Sequence, residues 1–323
     1  MKLLVSNPPH WHSGLSEKKI YRDFILGLIP ALIHALYFFG MHAARVIALC
    51  VAIAVLSEIG VRKLFRKKVD PYNGSAVYTG ILFAMLLPPT SPYWLVMIGV
   101  FITIFIGREI FGGVGSNPFS PVLVGMAVLE LSWPTYLNVN LTSVNYNLGF
   151  DCHSPLTALK AAGADYTSKF SLIELSLGNQ VGGIGSVAIL FLLIGGIYLL
   201  IRKVIHWEIP LFFAFGVVCT AAIFRAINPN VFACPWFHLL TGNVVIGMFF
   251  LSTDYSSSPF SNPGKIIFGF GCGFLTVIFR ALSVHEDGVI YAILIMNLFT
   301  PMLDKTGGKP RALSVVFPGR LKK

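Results

Sequence analysis

Apolar residues along this chain fall into ten blocks separated by short polar stretches. Their cores are Phe24–Phe39, Val46–Ile59, Ser75–Leu87, Trp94–Ile106, Val122–Leu131, Val187–Ile201, Ile209–Phe224, Phe237–Leu251, Ile266–Phe279 and Val289–Leu303. Each block predicts a membrane segment. Several fall short of the roughly 20 residues of a simple spanning helix. Those must tilt, recruit flanking polar residues, or be broken helices packed inside protein. One long polar stretch, residues 132–185, parts the first five blocks from the last five.

Composition agrees with this pattern. Of 323 residues, 55% are apolar and 12% charged. Soluble domains carry roughly 25% charged residues, so this chain has too little polarity to cover a water-facing surface. The expected fold is an all-α polytopic membrane protein of about ten transmembrane helices. The opening residues, "MKLLVSNPPHWHSGLSEKK", show neither the apolar core nor the small-residue cleavage site of a removable leader.

The formal charge of +10 indicates orientation, not nucleic-acid binding, because the basic residues cluster at block ends. Alternating the loops between two sides puts nineteen Lys and Arg on the side of both chain ends and five on the other. The basic side is the cytoplasmic one. Both ends are therefore expected inside and the 132–185 loop outside. Five segments per half is an odd number, so the halves should run in opposite senses. Two short echoes fit such an inverted repeat: "TGILFAM" (79–85) with "TGNVVIGM" (241–248), and "NPFSP" (117–121) with "NLFTP" (297–301). The expected organisation is a cytoplasmic segment 1–23, a first repeat 24–131, the external loop 132–185, a second repeat 186–303 and a basic tail 304–323.

Candidate chemistry is sparse. The cysteines at 50, 152, 219, 234 and 272 form no C-x-x-C pair, so no zinc or iron–sulfur ligand set is expected. His34, Glu58, Glu109, Glu130, His238 and Asp254 lie in or near the apolar cores. Ionisable groups there face a cavity or a partner unless, near a segment end, they reach water. "GREIFGGVGSNPFSP" (107–121) and "FFLSTDYSSSPFSNPGK" (249–265) hold too much Gly and Pro for regular helix. Irregular backbone at membrane depth is tolerated where it is buried in protein or lines a cavity. In the outside loop, Asp151, Ser154 and Thr157 follow at three-residue intervals within "DCHSPLTALK". Such a run reads either as turn chemistry or as an exposed hydroxyl to which a cofactor phosphate can be joined.

Four blocks carry a family resemblance: "NPPHWHSGLSEKKIYRDFILGLIPAL", "GREIFGGVGSNPFSPVLVGMAVL", "LLTGNVVIGMFFLSTDYSSSPFSNPGKIIFGFGCG" and "EDGVIYAILIMNLFTPMLD". In order and spacing they resemble the RnfD-type subunits of Rnf ion-translocating electron-transport complexes. The NqrB-type subunit of the sodium-pumping NADH:quinone reductase belongs to the same family but is typically longer at its N-terminus. The resemblance implies a subunit of the bacterial inner (cytoplasmic) membrane, with two inverted five-helix repeats in a urea-transporter-like fold. It further implies flavin mononucleotide (FMN) esterified through its phosphate to a threonine in an outside loop.

The family's acceptor pattern, roughly D-x-x-[ST]-G-A-T, falls on Asp151, Ser154 and Thr157, with Pro155-Leu156 in place of Gly-Ala. Proline fixes φ where glycine is free. Thr135, Thr142 and Thr167 are alternative acceptors without motif support. Lys160, three residues beyond Thr157, is either solvated or a stabiliser of a reduced, anionic flavin. A second, non-covalent flavin (riboflavin in related subunits) is expected around Asn117 and Asp254. The implied role is one carrier in an electron relay coupled to Na+ or H+ transport. The implied partners are the other membrane and peripheral subunits of the complex, a flavin-transferase and the lipid bilayer, with no nucleic acid. Two rivals stay open: a channel for a small polar solute such as urea, and a scaffold subunit without flavin.

Overall fold

A computed structural model describes residues 16–66, 74–137, 154–164, 170–178, 180–283 and 285–305. Asp151, Cys152, Thr142 and Thr167 lie outside them. All regular secondary structure among the described residues is helical. The first half comprises α1 (Glu17–Leu64), α2 (Ser75–Leu86), α3 (Tyr93–Ile104) with a π-helical turn at Phe105–Glu109, and α4 (Pro121–Ser132). Short helices α5 (Pro134–Leu137), α6 (Pro155–Ala162) and α7 (Leu172–Leu177) occupy the polar stretch. The second half comprises α8 (Ile189–Ile201), α9 (Glu208–Ile227), α10 (Pro235–Leu239), α11 (Val244–Ile246) with a π-helical turn at Gly247–Leu251, α12 (Asn262–Leu282) and α13 (Val289–Lys305). Three of these, α1, α9 and α12, are long and apolar enough to cross a membrane by length and composition.

Helix α1 merges two of the expected segments. It bends at Gly40, whose φ of 57° and ψ of −137° lie outside helical space. Only glycine adopts such a φ at no steric cost. The two limbs return to one end of the bundle. Tyr21 on the first limb packs on Tyr78, with ring centroids 5.8 Å apart. Glu58 on the second pairs with Arg108, which also donates to Ser75, on the same first turn of α2 as Tyr78.

Helices meet at small residues. A Cβ at Gly195 of α8 would overlap the Gly27 carbonyl of α1, and one at Gly273 of α12 would overlap the Phe213 carbonyl of α9. In lipid, where apolar side chains gain little from leaving the solvent, such close backbone approach drives helix association.

Polar contacts define two ends of the bundle. At one, Asp23 near the start of α1 pairs with Arg202 after α8 (3.2 Å), and Asp304 near the end of α13 accepts from the Phe260 backbone N–H (2.7 Å). The stretch 110–120 is irregular, as its glycines and prolines predict, and so is 252–261. The two touch here: Asn117 donates to Asp254 (3.1 Å). With its amide oriented to donate to the Ser257 carbonyl (3.3 Å), Asn297 accepts from the Ser120 N–H (3.2 Å). "NPFSP" and "NLFTP" thus touch across the bundle. The first precedes a helix and the second lies inside one, so they do not hold equivalent places.

At the other end lie the C-terminus of α2, the starts of α8 and α13, and helix α6. The Leu87 carbonyl accepts from Ile184 (2.9 Å).

Candidate cofactor site

Helix α6 starts where its sequence signals a start. Ser154 is the N-cap, its hydroxyl accepting from the Thr157 N–H (3.3 Å), and Pro155 holds the first helical position. Proline suits that position, because its missing N–H would be unsatisfied there and its fixed φ is already helical. The Pro155-Leu156 departure therefore begins the helix that carries Thr157. Gly163 ends it with a φ of 75°.

Two contacts dock α6 on the loop before α13. The Ser154 hydroxyl donates to Glu286 (3.5 Å). The Lys160 amine donates to the carbonyls of Ser283 (2.8 Å) and His285. Lys160 is exposed, as the solvated expectation has it, and is also anchored to the loop. Partial burial lowers its pKa, while Glu286 and Asp287 act to raise it.

Beside α6 opens a cavity of about 460 Å³, within the range of small-molecule sites. Its wall draws on α2 (Leu86), α4 (Glu130), α6 (Leu156), the 180–187 stretch (Gln180, Gly183) and the start of the α13 loop (Asp287). Ser154 lies on its rim, and half-buried Thr157 sits one turn further along α6. Glycine is required at Gly242 in this wall, where φ is +65° and a Cβ would lie 2.6 Å from Asp287 and 2.7 Å from Arg280.

Asp287 is held by Arg280, whose side chain is only 1% exposed. The guanidinium bonds Asp287 Oδ1 (3.0 and 3.1 Å) and the carbonyls of His238 (2.6 Å) and Thr241 (2.8 Å). Two polar atoms in the wall, Glu130 Oε2 and Asn243 Oδ1, are shut from solvent without a hydrogen-bond partner. Gly182, Gly183 and Gly242 leave room in this wall, and the Thr157 hydroxyl, one turn from the rim residue Ser154, stands next to it without lining it. Among the described residues no group of His, Cys, Asp or Glu is placed to hold a metal ion.

The other expected residues sit elsewhere. Asn117 and Asp254 form their pair at the opposite end, with Ser256 donating to the same carboxyl oxygen (3.1 Å). Burial raises the Asp254 pKa against the lowering effect of these bonds. Glu58 and Glu109, expected to face a cavity or a partner unless they reach water, are buried and face partners, two arginines. Arg62 pairs with Glu58 (2.7 Å) and Glu109 (3.2 Å), and Arg108 with Glu58 (3.1 Å) and Glu109 (3.3 Å). The i,i+4 spacing of Glu58 and Arg62 is the one local signal for this cluster.

A family model for the NQR2, RnfD, RnfE family matches residues 4–312. The chain belongs to that family. The D-type subunit of the Na(+)-translocating ferredoxin:NAD(+) oxidoreductase complex of Acetobacterium woodii is 36% identical over 308 residues, covering 94% of this chain and 93% of the relative. Its counterpart in the proton-translocating ferredoxin:NAD(+) oxidoreductase complex of Clostridium ljungdahlii is 35% identical over 311 residues, covering 93% of each. The counterpart in the ion-translocating oxidoreductase complex of Aliivibrio salmonicida is 29% identical over 338 residues, covering 94% of this chain and 96% of the relative. The four sequence blocks that suggest this RnfD-type family all lie within the matched span.

Proposed function

We propose that this chain is the RnfD-type membrane subunit of an ion-translocating ferredoxin:NAD oxidoreductase. In this reading it carries FMN through a phosphoester on Thr157 and passes electrons between partner subunits, coupled to Na+ or H+ movement. The observation that carries it is the placement of the motif: Ser154 caps the Thr157 helix at the rim of a cavity of small-molecule size. When bound, the isoalloxazine ring supplies the redox chemistry. The chain's own residues hold it in place. Thr157 tethers, Ser154 and Lys160 fix the helix, and the walls of the cavity exclude water.

The proposed layout is ten crossings in two inverted repeats, with both chain ends in the cytoplasm and α6 outside. The shared end of Asp23 and Asp304, opposite α6, supports it, as does the basic bias of the loops on that side. A set of paired side chains supports the repeat. Thr79 bonds back to the Ser75 carbonyl (2.8 Å), and Thr241 to that of Phe237 (2.7 Å). Thr103 bonds to the Gly99 carbonyl and Thr276 to that of Cys272, both at 2.8 Å.

Arg108, beyond Thr103, reaches the first turn of α2; Arg280, beyond Thr276, reaches Thr241 and His238. Arg108 falls one residue later in its helix than Arg280 does, and the π-helical turn at Phe105–Glu109 accounts for the extra residue. The two arginines lie at opposite ends of the bundle, as an inverted repeat requires. Asn117 and Asp254, bonded to each other, are assigned here to closing the inner loops and not to riboflavin.

Intact mass and in-gel flavin fluorescence of the purified subunit test the tether. Wild type should carry one covalent FMN and Thr157→Ala none. A flavin-free wild type, or a Thr157→Ala chain that keeps its flavin, overturns the assignment.

A further inference from the structure

We propose that Arg45 and Tyr93 form a head-group site for one anionic phospholipid of the outer leaflet, whose acyl chains lie along the exposed strip between α1 and α3. This rests on the proposed layout, which places the Gly40 bend outside, and is independent of the flavin.

Arg45 stands just past the bend and is exposed. Its guanidinium bonds the Tyr93 hydroxyl at the start of α3 (2.9 Å) and His42 Nδ1 one turn earlier in α1 (2.6 Å). A guanidinium only donates, so both partners accept. Neither is a carboxylate, and among the described residues no Asp or Glu pairs with Arg45. By contrast, Arg280 is neutralised by Asp287. The Arg45 charge is therefore held in one orientation and left uncompensated. Tyr93, having accepted, keeps its own O–H to donate. Fixed donors around an uncompensated positive charge fit a phosphate, which arginine can meet at two oxygens.

The depth is that of a lipid head group. Tyr93 follows the C-terminus of α2, at the same end of the bundle as α6. Lys63, exposed on the same limb of α1, is eighteen residues beyond Arg45, which is about 27 Å along a helix. The hydrocarbon layer is about 30 Å thick, so the two cations bracket it. Trp94, next to Tyr93, packs edge-on against Trp133 (5.5 Å) and Tyr136 (5.4 Å), as aromatic residues do at the interface. From there α1 and α3 run side by side to the inner end, where Phe65 stacks on Phe105 (6.5 Å). Leu56, three turns below Arg45, is exposed, as are Met97 and Phe101, one and two turns below Tyr93. A net-negative head group with apolar tails matches this charge set above an apolar strip. An acidic peptide or a free phosphate matches only its top.

The test uses the purified full-length protein in detergent, with dioleoylphosphatidylglycerol as the probe. Native mass spectrometry measures the lipid retained. Wild type should hold phosphatidylglycerol more tightly than dioleoylphosphatidylcholine. Arg45→Gln should weaken it about tenfold, and Tyr93→Phe, which loses a neutral donor, about threefold. Arg225→Gln removes another exposed cation and should change nothing. Equal retention of the two lipids, or an Arg45→Gln chain that holds phosphatidylglycerol as wild type does, overturns the proposal. Displacement of the lipid by millimolar inorganic phosphate would mark a free-anion site and overturns it too. Should Arg45→Gln fail to fold, Tyr93→Phe and the phosphate competition decide. Arg45→Cys, in a chain without other cysteines, tests the layout separately. Labelling by an impermeant maleimide from the outer face supports it. Labelling only in inside-out vesicles overturns the layout, and with it the choice of leaflet.

Discussion

The amine of Lys160 donates to the backbone carbonyl of His285, joining the helix that bears Thr157 to the loop that opens α13. Together with the Ser154–Glu286 contact, it holds both ends of a short helix on one face of the bundle. An eight-residue helix is far below the length at which isolated helices are stable in water, so α6 depends on this docking.

Lys160→Met keeps most of the side-chain volume and loses both carbonyl contacts. It should lower stability by about 1 kcal/mol, below the usual range for hydrogen bonds to charged groups, since Lys160 is exposed. Limited proteolysis between residues 154 and 164 should accelerate, while the helical circular-dichroism signal of the bundle stays unchanged. Cleavage at the wild-type rate would show that α6 does not rely on Lys160.

Arg280 meets three separate acceptors with one rigid planar group. A lysine cannot reproduce that fork. Arg280→Met leaves two carbonyls without their donor and Asp287 with only the Asn243 N–H, and should cost about 3–5 kcal/mol. Arg280→Lys should recover only part of the loss. The readout is the thermal midpoint in detergent. A midpoint for Arg280→Met within about 0.5 kcal/mol of wild type, the range of an ordinary surface substitution, would contradict the assigned contacts.

Gly195→Ala places a methyl on the Gly27 carbonyl, where only backbone movement can make room. Overpacking of this kind costs about 1–3 kcal/mol or more. Gly60→Ala, whose Cβ meets nothing within 4 Å, is the control. Gly195→Ala should therefore reduce both yield and thermal midpoint, and Gly60→Ala neither.

Asp254 supplies a pH signature. Burial raises its folded-state pKa, so the folded protein binds this proton more tightly than the unfolded chain does. The resulting stability is fully present below the ordinary aspartate value of about 3.9 and is lost as pH rises through the folded value. Asp254→Asn should match wild type in acid and exceed it at neutral pH. A series of thermal midpoints against pH measures this, and an unchanged slope in the variant would refute it.

The helical blocks are legible because apolar runs leave a helix no other environment. The break between the first two is marked by the polar residues after Gly40. Ser154-Pro155 also carries a readable helix-start signal, which its nearness to a turn-like D-x-x-S run obscures. The cavity is not legible. Its wall is assembled from α2, α4, α6 and two loops, so no local spacing joins Glu130 to Asp287 or Lys160 to His285. The buried charge cluster is half legible. Glu58 and Arg62 stand one helical turn apart, but Arg108 and Glu109 meet them only through the π-helical turn at the end of α3.

The bend at Gly40 reverses the chain within a single residue, and this matters for how the protein is made. The two limbs of α1 have no intervening domain to export, so they can enter the bilayer together as a preformed hairpin. A bulky side chain at position 40 has space around it, yet it would force the left-handed backbone that L-residues resist. Such a variant is expected to be lost at insertion, before any cofactor is attached, and to vanish from the membrane fraction instead of accumulating there inactive.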